Sequence, residues 1–124
     1  MLAGEYYVGD LCYVLQKEWI EFCSITIKDR DCLDGEFSLK DGRKFATYGT
    51  AYGDGVYDGY SVDACLIGCI KLSDIDKTNK SNSTRHGKII TFDYDFETGE
   101  NKGVIHFGHI RIDTSFEEEE EIEE

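Results

Sequence analysis

The chain has no apolar run of even twelve residues, far short of the roughly 20 that a membrane-spanning helix needs, so no such span is expected. Bases are scarce as well: 13 lysines and arginines stand against 26 aspartates and glutamates. Nucleic-acid phosphates are held by basic patches, and a net charge of −13 argues against a nucleic-acid partner. No basic stretch precedes an apolar one in Met1-Leu-Ala-Gly-Glu-Tyr-Tyr7, so no export signal is expected. Without export, an odd set of five cysteines reads as free thiols in a reducing, cytoplasmic compartment. The glycosylation triplets at Asn79 and Asn82 then carry no weight. No phosphate-binding loop, dinucleotide fingerprint, serine elbow or zincin motif occurs, and no cofactor is expected. Proline is absent altogether, and nothing functional follows from that.

What is present describes a folded chain. A content of 40% hydrophobic and 13% aromatic residues over 124 positions suits a single domain with its own core. We place that domain at residues 1–116. Glu117–Glu121 with Glu123 and Glu124 form an acidic tail, 117–124, in which like charges repel and only Ile122 is apolar, so disorder is expected there. The preceding 116 residues carry 19 acids against 13 bases, so the domain itself is only moderately acidic. Basic partners fit such a balance, and so does simple solubility.

Periodicity gives the fold class. Leu15, Trp19, Phe22 and Cys23 recur at helical spacing across Gln16–Cys23, which predicts one short amphipathic helix resting on a sheet. Ser24–Lys28 either extends it or begins a strand. The remaining signals are strands: Tyr6-Tyr-Val, Cys12-Tyr-Val-Leu15, and the apolar Ala64–Ile70, which reads as a central strand covered on both faces. Asp41-Gly42 and Asp58-Gly59 predict hairpins. A two-residue turn at the first would set Phe37 opposite Ala46 and Leu39 opposite Lys44. Lys88–Phe96 and Gly103–Asp113 are the last strands, joined by a loop at Glu97–Lys102, and Ser73–Gly87 reads as an exposed loop. The expectation is an α+β, β-rich domain: an antiparallel sheet or barrel-like sheet with one short amphipathic helix.

The densest stretch is Tyr48–Asp63, with four tyrosines, four glycines and three aspartates and no base. Tyrosines beside glycines offer flat stacking faces, phenolic hydrogen bonds and close backbone approach, as binding surfaces use. Aspartates there can accept hydrogen bonds from hydroxyls, amines or basic side chains. The alternative is that Asp54 and Asp58 form turns while the tyrosines fill a half-buried face. Tyr7-Val-Gly-Asp10 resembles Tyr52-Gly-Asp-Gly-Val-Tyr57, so the candidate binding residues are Gly9, Asp10, Tyr48, Tyr52, Gly53, Asp54, Gly55, Tyr57 and Asp63. Asp93-x-Asp95-x-Glu97-x-Gly99 spaces oxygens like a calcium loop, but the glycine is misplaced and no helices flank it, so no metal is expected. His106 and His109 would face opposite ways on one strand, and there is no Cys-x-x-Cys pair for zinc. A Cys12–His106–Asp10 nucleophile can be drawn, with nothing in the spacing to favour it.

Four blocks also resemble a known group. Tyr6-Tyr-Val-Gly-Asp-Leu-Cys-Tyr-Val14, Glu18-Trp19, Tyr48-Gly-Thr-Ala-Tyr-Gly-Asp-Gly-Val-Tyr57 and Val62-Asp-Ala-Cys-Leu-Ile-Gly68 are similar to small uncharacterised proteins of phages, large DNA viruses and some bacteria. The likeness covers residues 5–113 and implies a viral or microbial origin, with the host cytosol as location if viral, but no activity. The expected function is a non-enzymatic binding module for a protein or small molecule. The alternatives are a small hydrolase or transferase with an Asp-rich site, and an acidic decoy acting through the tail. Oligomeric state does not follow from the sequence.

Overall fold

The period-two patterns resolve into strands in a computed structural model that describes residues 1–79 and 85–115. The chain opens with β1 (Gly4–Gly9), passes a 3-10 turn at Leu11–Tyr13 and forms the α-helix α1 (Trp19–Thr26). A small ribbon, β2 (Ile27–Lys28) and β3 (Asp31–Cys32), precedes β4 (Gly35–Ser38) and β5 (Lys44–Gly49). The hairpin β6 (Gly55–Tyr57) and β7 (Tyr60–Val62) leads into β8 (Leu66–Lys71). Then come β9 (Lys88–Phe92), β10 (Thr98–Asn101), β11 (Val104–Phe107) and β12 (Ile110–Asp113). The main sheet has the order β4-β5-β8-β1-β9, and β10-β11-β12 form a second sheet. Every pairing is antiparallel. The architecture is therefore α+β and sheet-dominated, and it is not a closed barrel: the main sheet has edges at β4 and β9.

Alternation along the central strands builds two cores. Tyr6 and Val8 of β1, Ala46 and Tyr48 of β5, and Ile67 and Cys69 of β8 point to one face, where Tyr57, Tyr60, Ile105, Phe107 and Ile112 cover them. Tyr7, Phe45 and Ile70 point to the other, where Leu11, Leu15 and Phe22 close over them. Burying each of the Val, Leu, Ile and Phe side chains among them contributes about 1.5–3 kcal/mol, which is why these rows set the register. The middle strand of the five, β8, is covered on both faces as the composition of Ala64–Ile70 predicts, but it begins at Leu66, because Ala64 and Cys65 belong to the bend before it. Gly68 sits where a Cβ would lie 2.2 Å from the Ala46 carbonyl oxygen and 2.8 Å from a Leu11 methyl, so the 3-10 turn packs directly on its backbone.

Local turn chemistry explains both agreement and difference. Asp58-Gly59 forms a two-residue turn between Tyr57 and Tyr60, with φ of 53° and 86° as a type I′ turn requires. At Asp41-Gly42 the expected register is off by one: Phe37 faces Phe45, and Ser38 faces Lys44. The loop holds three residues, because the Leu39 N–H donates to the Arg43 carbonyl and Gly42, at φ 96°, closes a turn on the Leu39 carbonyl. The helix begins at Trp19 rather than Gln16 and runs to Thr26, after which Ile27 starts a strand. Cys12–Leu15 is not a strand, since the Asp10 side chain caps a 3-10 turn there.

The C-terminal third departs most from expectation. The strand ends at Phe92, the chain bends, and Tyr94 is 83% exposed. Phe96 folds back to stack on Phe92 at 3.9 Å while its N–H donates to the Met1 carbonyl. The expected Glu97–Lys102 loop contains β10, and Gly103–Asp113 is a hairpin turned at Gly108-His109. His106 thus lies on β11 and His109 in a turn. Within the expected Ser73–Gly87 loop, Asn79 is buried and its amide donates to the Val14 carbonyl. Positions 80–84 and the acidic tail 117–124 lie outside the described residues.

Candidate functional site

The three aspartates picked out from sequence converge on one short segment. Asp10 follows β1 and is fully buried. Its Oδ1 accepts the Cys12 N–H at 2.9 Å, and its Oδ2 accepts the N–H groups of Asp63 and Ala64 at 2.7 and 2.6 Å. Asp54 takes the next amide: its Oδ1 accepts the Cys65 N–H at 3.0 Å and the Cys65 thiol at 3.2 Å. Two carboxylates therefore hold consecutive backbone amides at 63, 64 and 65, where Cys65 adopts φ 61° just before β8. Bonds from N–H to a carboxylate are among the stronger ones a protein makes. The junction clasps the end of β1, the β5–β6 loop and the start of β8.

The surrounding loop is tied just as closely. The Thr50 N–H donates to the Cys65 carbonyl, and the hydroxyls of Thr50 and Tyr57 both donate to the Gly53 carbonyl, at 2.6 and 2.9 Å. Asp34 Oδ1 accepts the Gly49 N–H from the far side. Tyr7 folds back so that its hydroxyl donates to the Asp10 carbonyl, and a Cβ on Gly9 would fall 2.6 Å from that hydroxyl. Gly9 is thus required by space, while Gly53 in the loop and Gly55 at the start of β6 stand at positive φ. Two of the candidate tyrosines are core residues rather than surface: Tyr57 is 1% exposed, and Tyr48 is 7% exposed with its hydroxyl bonded to that of Thr98. Tyr52, at 62%, faces solvent, as does Asp63.

Three further groups join the junction. Cys12 and Cys65 enter with the segments that the aspartates hold. His86 stacks on Tyr13 at 3.8 Å with the rings 10° apart. None of these was singled out as a binding residue, because their proximity depends on long-range pairing of β1 with β8 and β9. Burial, reinforced by the Asp10 charge, raises the Cys12 thiol well above its ordinary value. The hydrogen bond to Asp54, then burial, raises that of Cys65. Burial first, then the nearby Cys12 and aspartates, also raises the Tyr13 phenol. Both thiols are held protonated, the reverse of what an activated nucleophile needs.

Other arrangements considered from sequence do not assemble. His106 belongs to the second sheet, with its ring against Gly99, and His86 stacks on Tyr13. Asp95 uses Oδ1 to accept the Ala3 N–H. Among the described residues no group of three His, Cys, Asp or Glu side chains is placed to hold a metal ion. Among the described residues, no helix is long and apolar enough to cross a membrane. Comparison with protein-family models, curated proteins and solved structures finds no match to this chain.

Proposed function

We propose that this protein is a non-enzymatic binding module whose recognition surface is the exposed rim of the aspartate junction, and that its partner is cationic. The observation that carries this reading is the occupation of Asp10 by three backbone amides in a fully buried position. A general base must reach a proton on its substrate, and a carboxylate already committed to the fold has no such reach. A small hydrolase or transferase would want these carboxylates together, as they are, but with oxygens turned to a cleft and a thiolate or free base beside them. The rim left to solvent is Tyr52, Asp63 and the open side of Asp54. Carboxylates beside aromatic faces suit a lysine or arginine side chain or another amine. The loop is pre-ordered by its own hydrogen bonds, which lowers the entropy lost on binding. A reducing cytoplasmic setting accords with five unpaired thiols, and a viral or microbial origin rests on the Tyr-x-Gly-Asp-x-Cys-Tyr-Val and Tyr-Gly-Thr-x-x-Gly-Asp-Gly-x-Tyr blocks.

The test is calorimetric titration of the full chain with an arginine-rich peptide. Tyr52→Ala combined with Asp63→Asn removes the rim without touching a clasp bond, and affinity should fall about ten-fold or more, or roughly 1.4 kcal/mol and upward. Affinity unchanged in that variant would remove the rim from consideration.

A further inference from the structure

At the opposite end of the same central strands lies a groove of about 540 Å³, a size that falls within the range of about 300–1,000 Å³ typical of small-molecule sites. Its floor is the end of the main sheet's Tyr6 face that the second sheet leaves open. One step beyond the Phe45–Ile70 pair, the β5–β8 register sets Lys44 across from Lys71, and Lys71 in turn pairs with Tyr6. Lys44 shares its face with Ala46 and Tyr48, and Lys71 shares its face with Cys69 and Ile67. Both lysines line the groove.

Directly opposed side chains on antiparallel strands have Cβ atoms about 4.5–5.5 Å apart, and like charges in that position destabilise a sheet. Among the described residues neither lysine makes an ion pair or a side-chain hydrogen bond. In a chain with twice as many acids as bases, two lysines at opposed register positions without an ion pair stand out, although the Lys71 side chain leans toward Gly4 on β1. Local rules of this kind are broken where a ligand repairs them. Four carboxylates also line the groove: Glu36, on β4 diagonal to Lys44, Asp74, three positions after Lys71, and Asp95 and Glu97. Glu36 accepts the Thr98 hydroxyl and lies 3.9 Å from the Met1 ammonium, whereas Glu97 makes no side-chain bond among the described residues. Phe96 packs edge to face on the Tyr6 ring at 5.1 Å, and that ring is buried with its hydroxyl donating to the Leu2 carbonyl.

We infer that this groove binds a small organic anion that also carries an amine: its phosphate or carboxylate sits between Lys44 and Lys71, and its amine faces Glu97 and Asp95. The site is separate from the aspartate rim, lying some five residues along β5, or about 17 Å. Failure at one therefore leaves the other standing.

Phosphoserine and inorganic phosphate are the probes, titrated calorimetrically into the full chain at low ionic strength. Phosphoserine should bind saturably and more tightly than phosphate. The variant Lys44→Gln/Lys71→Gln should lose about ten-fold or more in affinity, roughly 1.4 kcal/mol by the same conversion. Lys44→Gln alone should also weaken binding while leaving the ligand-free melting temperature unchanged or raised, because it relieves the opposed charges. Absence of saturable phosphoserine binding, binding indifferent to both variants, or a clear fall in the melting temperature of Lys44→Gln would each overturn the assignment. Equal affinity for phosphate and phosphoserine would overturn its amine half.

Discussion

Replacing Asp10 by alanine should be among the most damaging single changes in the domain, and its cost can be worked from the geometry. The substitution strands the N–H groups of Cys12, Asp63 and Ala64, which now bond at 2.6–2.9 Å. A hydrogen bond to a charged group contributes about 1.5–3 kcal/mol, and an unmet donor costs about 1–3 kcal/mol. These amides are part-buried and the losses are not additive, so we expect about 3–5 kcal/mol in all. Against a domain stability of roughly 5–15 kcal/mol, that lowers the melting temperature by about 10–20 °C. Asp10→Asn keeps an oxygen for Asp63 and Ala64 but turns an NH2 group toward the Cys12 amide, so about half the loss is expected. Urea unfolding followed by the fluorescence of Trp19, the single tryptophan, measures both. An alanine variant within about 1 kcal/mol of the wild type would refute the clasp, because no arrangement of three such bonds is that weak.

Other outcomes follow from the same structure. Gly68→Ala drives a methyl into the Ala46 carbonyl and Leu11, and should leave the chain insoluble or several kcal/mol less stable, as expression and thermal melts will tell. Gly59→Ala has room around it but must adopt φ 86° in the two-residue turn, so a loss of about 1–2 kcal/mol is expected from chemical denaturation. On the alkaline side, burial pushes the Cys69 thiol and the Tyr6 phenol both up to about 12. In the unfolded chain these groups release protons near 9 and 10, before the folded state does, so stability should be full below about pH 9 and fall steadily toward pH 12. Cys69→Ala should lower overall stability yet flatten that decline. A melting temperature insensitive to pH across this window would contradict the burial of both groups.

Features that depend on neighbours in sequence were legible before the fold was known. Asp58-Gly59 specifies its turn by itself, and the apolar Ala64–Ile70 run reads as a strand covered on both faces, which the structure starts at Leu66. Features that depend on pairing were not. Thr98-Gly-Glu-Asn101 carries one strand-favouring side chain, Thr98, and it is a strand because Ile105 and Phe107 on β11 are buried beside it. The Asp41-Gly42 register slipped because Asp-Gly serves two-residue and three-residue turns alike, and only the Leu39–Arg43 bond distinguishes them. The candidate site divides in the same way. Gly9-Asp10, Gly53-Asp54 and Asp63 were named, and they do meet. Yet nothing in a sequence says whether a carboxylate faces a substrate or an amide 53 positions away. Tyr48 and Tyr57 looked like surface tyrosines because glycines flank them, but those glycines let the loop fold tightly over a tyrosine core. The opposed Lys44 and Lys71 were invisible for the same reason: their relation exists only in the register.

A 15N-resolved titration of the full chain with an arginine-rich peptide tests the central claim most directly, because it reports at once where a cationic partner sits and whether the clasp holds. The expected result is saturable, salt-sensitive shifts at Tyr52, Gly53, Asp54 and the Asp63–Cys65 amides, with the rest of the main sheet unmoved. Shifts concentrated at Glu117–Glu124, or spread evenly over the acidic surface, would contradict a built recognition site at the aspartate junction.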